Sequence, residues 1–191
     1  MTRALIVVDV QNDFCEAGSM PVDGGGTVAE AITSNVGTNR GGRRYDYVVA
    51  TKDWHVDPGT HFAAPDKEPD FVDTWPVHCV ADSPGAEFHH NLEIAIDEIF
   101  LKGRTSASYT GFDAGASADE SVKLEEWLRD RGVEEVDVVG LATDYCVKAT
   151  ALDSAAAGFH TKVLLDMCAG ISADTTRAAM EEFREAGVAV V

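Results

Sequence analysis

The chain has 191 residues, 45% of them hydrophobic, enough for one domain spanning 1–191 and too few to divide comfortably into two. With 15 Lys and Arg against 33 Asp and Glu, its formal charge is −18, which sets the surface against a nucleic-acid backbone or an anionic membrane and favours a small neutral or cationic ligand. No basic cluster or apolar run of membrane-spanning length occurs, and Met1-Thr2-Arg3 leads into a strand pattern with no signal-peptide type of cleavage site. The expected compartment is therefore the cytoplasm. The 4 cysteines form no C-x-x-C pair and are expected as free thiols, while self-association is left open.

Ala4 to Asp9 reads as a buried strand that delivers an aspartate at its carboxyl end, followed by the polar turn Gln11-Asn12-Asp13-Phe14-Cys15. From this position alone, Asp9 serves equally well as a site carboxylate or as a turn former. Thr27 to Val36 has helical spacing through Val28, Ile32 and Val36, and Gly37 to Arg44 reads as a glycine-rich exit loop.

Tyr47 to Lys52 is the second strand pattern. It runs into Asp53-Trp54-His55 and then Pro58-Gly59-Thr60-His61-Phe62, and a long polar segment leads to Trp75-Pro76-Val77-His78-Cys79. Extended backbone places alternate residues on one side, so Asp53 and His55 project together, and the Pro-Gly turn can return His61 beside them. His78 would be a fourth ligand. Histidine nitrogens with one carboxylate suit divalent zinc, manganese or iron, and the lack of thiolate argues against a closed structural zinc site, so Cys79 is expected to point away. His89, His90 and His160 show no comparable grouping.

Glu98 to Lys102 reads as a short third strand ending in a lysine, and Ala118 to Arg131 as an amphipathic helix closed by Gly132. Val136 to Leu141 is a run of buried-strand type that stops at Ala142-Thr143-Asp144-Tyr145-Cys146, where a small-residue helix begins. A thiol at a helix start has its pKa lowered by the unpaired N–H groups, although a lone cysteine is more often a buried structural residue. His160 to Asp166 and Val188 to Val191 complete the strands, with a helix from Ala173 to Ala186 between them. Alternating strands and helices predict an α/β fold, a parallel sheet in three α/β/α layers.

Taken together, Val8-Asp9-Val10-Gln11-Asn12-Asp13-Phe14, Lys52-Asp53-Trp54-His55, Pro58-Gly59-Thr60-His61-Phe62, Trp75-Pro76-Val77-His78-Cys79, Lys102-Gly103 and Gly140-Leu141-Ala142-Thr143-Asp144-Tyr145-Cys146-Val147 closely resemble the nicotinamidases, or pyrazinamidases, of the isochorismatase-like hydrolase superfamily. The resemblance spans the chain in order. It implies a six-stranded parallel sheet of order 3-2-1-4-5-6, a triad of Cys146, Asp9 and Lys102, and hydrolysis of nicotinamide through a Cys146 thioester. It also implies oxyanion donors at the Ala142 and Cys146 N–H groups, a cis Leu141-Ala142 peptide, and a divalent metal held by Asp53, His55, His61 and His78. Phe14, Trp75 and Tyr109 resemble pocket walls, although Phe14 and Trp75 also suit a core. Other readings are a different amidohydrolase of the superfamily, a metal-water hydrolase with Cys146 structural, and an acidic binding protein without activity.

Overall fold

The computed structural model describes residues 1–36 and 44–191, so the expected exit loop at 37–44 lies outside the described residues except for Arg44. Strands β1 (Thr2–Val8), β2 (Tyr47–Asp53), β3 (Glu98–Lys102), β4 (Gly115–Ala116), β5 (Val133–Leu141), β6 (His160–Ala169) and β7 (Ala189–Val190) form one sheet in the order β4-β3-β2-β1-β5-β6-β7. Every pairing is parallel except β3 with β4. Without the two-residue antiparallel edge at Gly115–Ala116, the remaining strands reproduce the expected 3-2-1-4-5-6 order.

Helices α1 (Gly25–Val36), α2 (Leu124–Asp130), α3 (Lys148–Ala156) and α4 (Ala173–Glu185) cover the sheet. The pleat of β1 sends Ala4, Ile6 and Val8 to the face shared with Leu128 of α2, Ala151 of α3 and Phe183 of α4. Leu5 and Val7 go to the other face, with Val28, Ile32 and Val36 of α1. Central parallel strands are covered on both sides, and each Val, Leu or Ile fully buried there contributes about 1.5–3 kcal/mol.

The helix expected from Ala118 to Arg131 is shorter, because polar side chains take the chain into a turn first. Asp119 accepts hydrogen bonds from the backbone and hydroxyl of Ser121, Ala116 N donates to Val122 O, and the helix starts only at Leu124. Local side-chain bonds of this kind compete with helix formation.

Asp9 follows β1, Asp53 ends β2, Lys102 ends β3 and Leu141 ends β5, so the four carboxyl ends share one rim. At that rim Gly140 has φ 120°, and a Cβ there would stand 2.1 Å from the carbonyl oxygen of Val8. Replacing Gly140 by Ala therefore meets both an unfavourable backbone angle and β1 itself. The expected loss is about 3 kcal/mol, or roughly 6–12 °C in Tm by calorimetry, and an unchanged Tm would contradict this close approach.

Candidate active site

Lys102 crosses from β3 beneath the end of β2, and its ammonium is fully enclosed. Nζ lies 2.9 Å from Asp9 Oδ2 and 2.5 Å from Asp53 Oδ1, and it donates to Cys146 Sγ at 3.6 Å. Thr51 Oγ1 donates to the other Asp9 oxygen at 2.6 Å. Asp9, Asp53 and Cys146 bring oxygen and sulfur atoms within 4.8 Å of one another, and Cys146 retains only 8% exposure.

The charges settle unequally. Burial works against the Lys102 ammonium, but Asp53 and Asp9 outweigh it and raise its pKa well above the ordinary value. Burial also opposes the Asp53 charge, yet Lys102, His55 and His78 hold that carboxyl below the usual range. Asp9 ends on the other side: burial raises it, Lys102 only partly compensates, and Asp53 raises it further. Burial likewise pushes the Cys146 thiol well above its ordinary pKa despite Lys102. This corrects the expectation that a helix start would lower it. Residues Thr143–Val147 form a single π turn ahead of α3, and in that enclosed position desolvation and the two carboxylates outweigh the cation.

Asp53 turns its other oxygen, Oδ2, toward the histidines, 3.7 Å from His55 Nε2 and 3.9 Å from His78 Nε2. His55, His61 and His78 offer nitrogens within 4.8 Å of one another, all buried. His55 Nδ1 meets the Gly103 carbonyl at 2.5 Å and His78 Nδ1 meets the Pro76 carbonyl at 2.6 Å. Carbonyls only accept, so each Nδ1 carries hydrogen, and the two Nε2 atoms face each other 3.3 Å apart. His61 Nδ1 is buried without a partner. Burial, then His78 and His55, push the His61 pKa down to about 4, and His78 is lowered by burial, so both are neutral near pH 7, as metal ligands must be. Converging neutral nitrogens beside a carboxylate fit a divalent cation.

The loop that carries these ligands is stapled to the fold. His55 N donates to Cys79 O and Ala81 N returns to His55 O, while Trp75 N donates to His61 O and Ala63 N to Trp75 O. Asp13 Oδ2 accepts from Cys79 N at 2.7 Å, where Cys79 has φ 44°. The Cys79 side chain points into the apolar cluster on the α1 side, as expected.

Above both clusters lies a recess of about 430 Å³, counting its open mouth, with Cys146, Asp53 and His61 in its lining. Phe14 belongs both to this wall and to the core, 5.4 Å from the His78 ring. Trp75 serves as wall: its Nε1 donates to Tyr109 Oη at 2.9 Å and its ring meets Tyr145 edge-on at 5.2 Å. Ala142 also lines the recess, and the Leu141-Ala142 peptide is cis.

The Isochorismatase domain pattern matches residues 3–191. The chain belongs to the isochorismatase family. It is 51% identical over 191 residues to the nicotinamidase/pyrazinamidase of Mycobacterium tuberculosis, covering 99% of this chain and 98% of that protein. A solved nicotinamidase/pyrazinamidase from Acinetobacter baumanii superposes with a TM-score of 0.85 at 35% identity, covering 100% of this chain and 95% of that one. The Pyrococcus horikoshii pyrazinamidase solved in complex with zinc gives a TM-score of 0.79 at 34% identity, covering 100% and 99%. The family and the α/β fold expected from the motifs are thus both borne out.

Every site residue expected from the sequence reaches this one rim. Met20, Val22, Tyr145 and Ile171 also line the recess, and the sequence reading did not assign them to it. Met20 and Val22 come from the loop before α1 and Ile171 from the loop after β6, and none carries a periodic signal, whereas Tyr145 stood beside Cys146 and could have been noticed. His89 and His90 stack on each other at 4.2 Å, and His160 is exposed at the start of β6.

Replacing Lys102 by Met leaves two buried carboxylates without their cation, at a cost of about 3–5 kcal/mol near pH 7. The Asp9 carboxyl, already raised by burial and by Asp53, then lies further above its unfolded value, and burial of Asp53 loses its main opponent. Such groups favour the fold only while protonated, so the deficit grows as pH rises through the folded values and shrinks as pH falls toward the unfolded ones. Denaturant melts from pH 7 down to about 4, near the unfolded Asp value, should show the variant converging on the unsubstituted protein; a constant gap over that range would contradict the ion triad.

Proposed function

We propose that this protein is a nicotinamidase, a cysteine amidohydrolase that converts nicotinamide to nicotinate and ammonia in NAD salvage and also accepts pyrazinamide. The observation that carries this reading is the division of Asp53, with one oxygen on Lys102 beside the Cys146 thiol and the other on the histidines. On this reading the Cys146 nucleophile and the ring-holding residues share one mainly apolar recess, which Cys146, Asp53, His61 and His78 line. The names of the relatives point the same way.

In the proposed reaction nicotinamide enters with its ring between Phe14, Trp75 and Tyr109. Asp9 takes the proton from Cys146 Sγ, and sulfur forms a bond to the carboxamide carbon. The raised Asp9 pKa suits a carboxylate that must accept a proton, and Lys102 keeps the charges of the pair in place. The N–H groups of Ala142 and Cys146 stabilise the oxyanion. The C–N bond then breaks while Asp9 returns the proton to nitrogen, releasing ammonia and leaving a thioester. Asp9 next takes a proton from water, the resulting hydroxide attacks the thioester, the C–S bond breaks, and nicotinate leaves as the Cys146 thiol is reprotonated.

Asp53, His55, His61 and His78 would hold one divalent ion, with zinc the first candidate and iron and manganese sharing the donor preference. When bound, the ion supplies a Lewis-acidic contact for the pyridine nitrogen and so orients the ring. All four thiols are free, which fits a reducing compartment, and we assign the protein to the cytoplasm. Among the described residues no helix is long and apolar enough to cross a membrane.

The purified protein, supplied with zinc, is expected to release ammonia from nicotinamide, and Cys146→Ala to lower that rate by at least about a thousandfold without losing the metal. Turnover retained in Cys146→Ala would favour attack by a metal-bound water. Failure of the unsubstituted protein on nicotinamide, with release from another amide, would reassign the substrate.

A further inference from the structure

We infer that Gln11 is a positioning residue that holds Asp9 and Asp53 at the separation Lys102 requires, by completing the sheet where β1 has turned away. β1 leaves the sheet at Asp9, whose φ is 50°, and the last ladder bond between the strands is Asp9 N to Thr51 O at 3.3 Å. In a parallel ladder the next groups of β2 on that side belong to the alternate residue, Asp53, and no strand remains to meet them.

The Gln11 side chain takes that place. Its Oε1 accepts from Asp53 N at 2.9 Å, while Nε2 donates to Asp53 O at 2.8 Å and to Ala86 O at 2.9 Å. The carboxamide thus presents to Asp53 the donor and acceptor that a strand would have offered. Both of its N–H groups are used and its exposure is zero.

The backbone of the same residue serves the other carboxylate, since Gln11 N donates to Asp9 O at 2.8 Å. Gln11 therefore fixes the backbones of both residues whose carboxylates flank Lys102. Through Ala86 O it also ties them to the turn that follows the His78 segment. Any drift of Asp53 would move Oδ1 away from Lys102 and Oδ2 away from the histidines together. Gln11 touches neither the reacting atoms nor the recess, so it acts only through these partners.

The inference rests on the amidase reading for its activity readout but not for the others. The test compares Gln11→Glu, which replaces both N–H donors by a carboxylate at constant size, and Gln11→Met, which removes all the side-chain bonds at similar volume. Tyr45→Phe is the control, because it deletes a buried hydrogen bond to Asp137 remote from the site. For each full-length variant, kcat on nicotinamide is measured at saturating zinc, zinc affinity by competition with a chromogenic chelator, and Cys146 alkylation by iodoacetamide in metal-free protein. Circular dichroism and Tm report the folded fraction.

Both Gln11 variants, corrected for folded fraction, are expected to lose about tenfold or more in kcat and in zinc affinity, and to change the alkylation rate by at least about threefold. Tyr45→Phe should lower Tm and leave these unchanged. Folded Gln11 variants with all three values within about twofold of the unsubstituted protein would overturn the inference. If the unsubstituted protein releases no ammonia from nicotinamide, the substrate reading fails, while zinc affinity and alkylation still decide the role of Gln11.

Discussion

One buried ammonium, that of Lys102, stands between two buried carboxylates and beside a thiol, and the chemistry of the site depends on how it divides its influence. Burying three charges costs several kcal/mol for each ion, so the cluster persists only because the opposite charges meet at hydrogen-bonding distance. The division is uneven. Asp53 has the closer ammonium contact and two histidines nearby, and it stays below the ordinary carboxylate range. Asp9 has the neighbouring carboxylate working against it and lies above that range. Two like groups driven apart by their surroundings divide the work in the proposed reaction: Asp53 remains an anion for the metal, and Asp9 can exchange a proton with sulfur, nitrogen and water.

Where Lys102 comes from explains why the rest of the fold must be rigid. It belongs to β3, Asp53 to β2, Asp9 follows β1 and Cys146 follows β5, so four strand ends must hold their register for the cluster to exist. The apolar faces beneath them supply that register, since a one-residue slip in any strand would turn its Val, Leu and Ile side chains to the wrong layer. The long segment carrying His61, Trp75 and His78 has little regular structure and gains its order from single backbone pairs with His55 and His61 and from the Asp13 carboxylate. Its polar backbone is satisfied by these bonds, which lets a loop lie over a core.

The alternation of strands and helices was legible in the chain because the buried strands are continuous Val, Leu and Ile runs and α1 and α4 carry a 3.6-residue period. The short α2 was not, since Val122 continues the apolar spacing while Asp119 and Ser121 close a turn that periodicity does not register. Edge strand β4 escaped for a related reason: two residues, Gly115 and Ala116, are too few to show a pattern.

The candidate site was legible in the sequence because Asp9, Asp53, Lys102 and Cys146 stand at or just past strand ends that the sheet order carries to one rim, while the histidine motifs mark the loop that joins them. Which groups would share charge was decided only by the tertiary structure. A cysteine beginning a helix reads as an activated thiolate, yet its pKa depends on how much water the surrounding loops exclude and on the net sign of the neighbours they bring. Around Cys146 the enclosure and two carboxylates outweigh one lysine, so the resting group is a thiol. Desolvation and Coulomb interactions are set by distances through folded space, and neither can be read from separation along the chain.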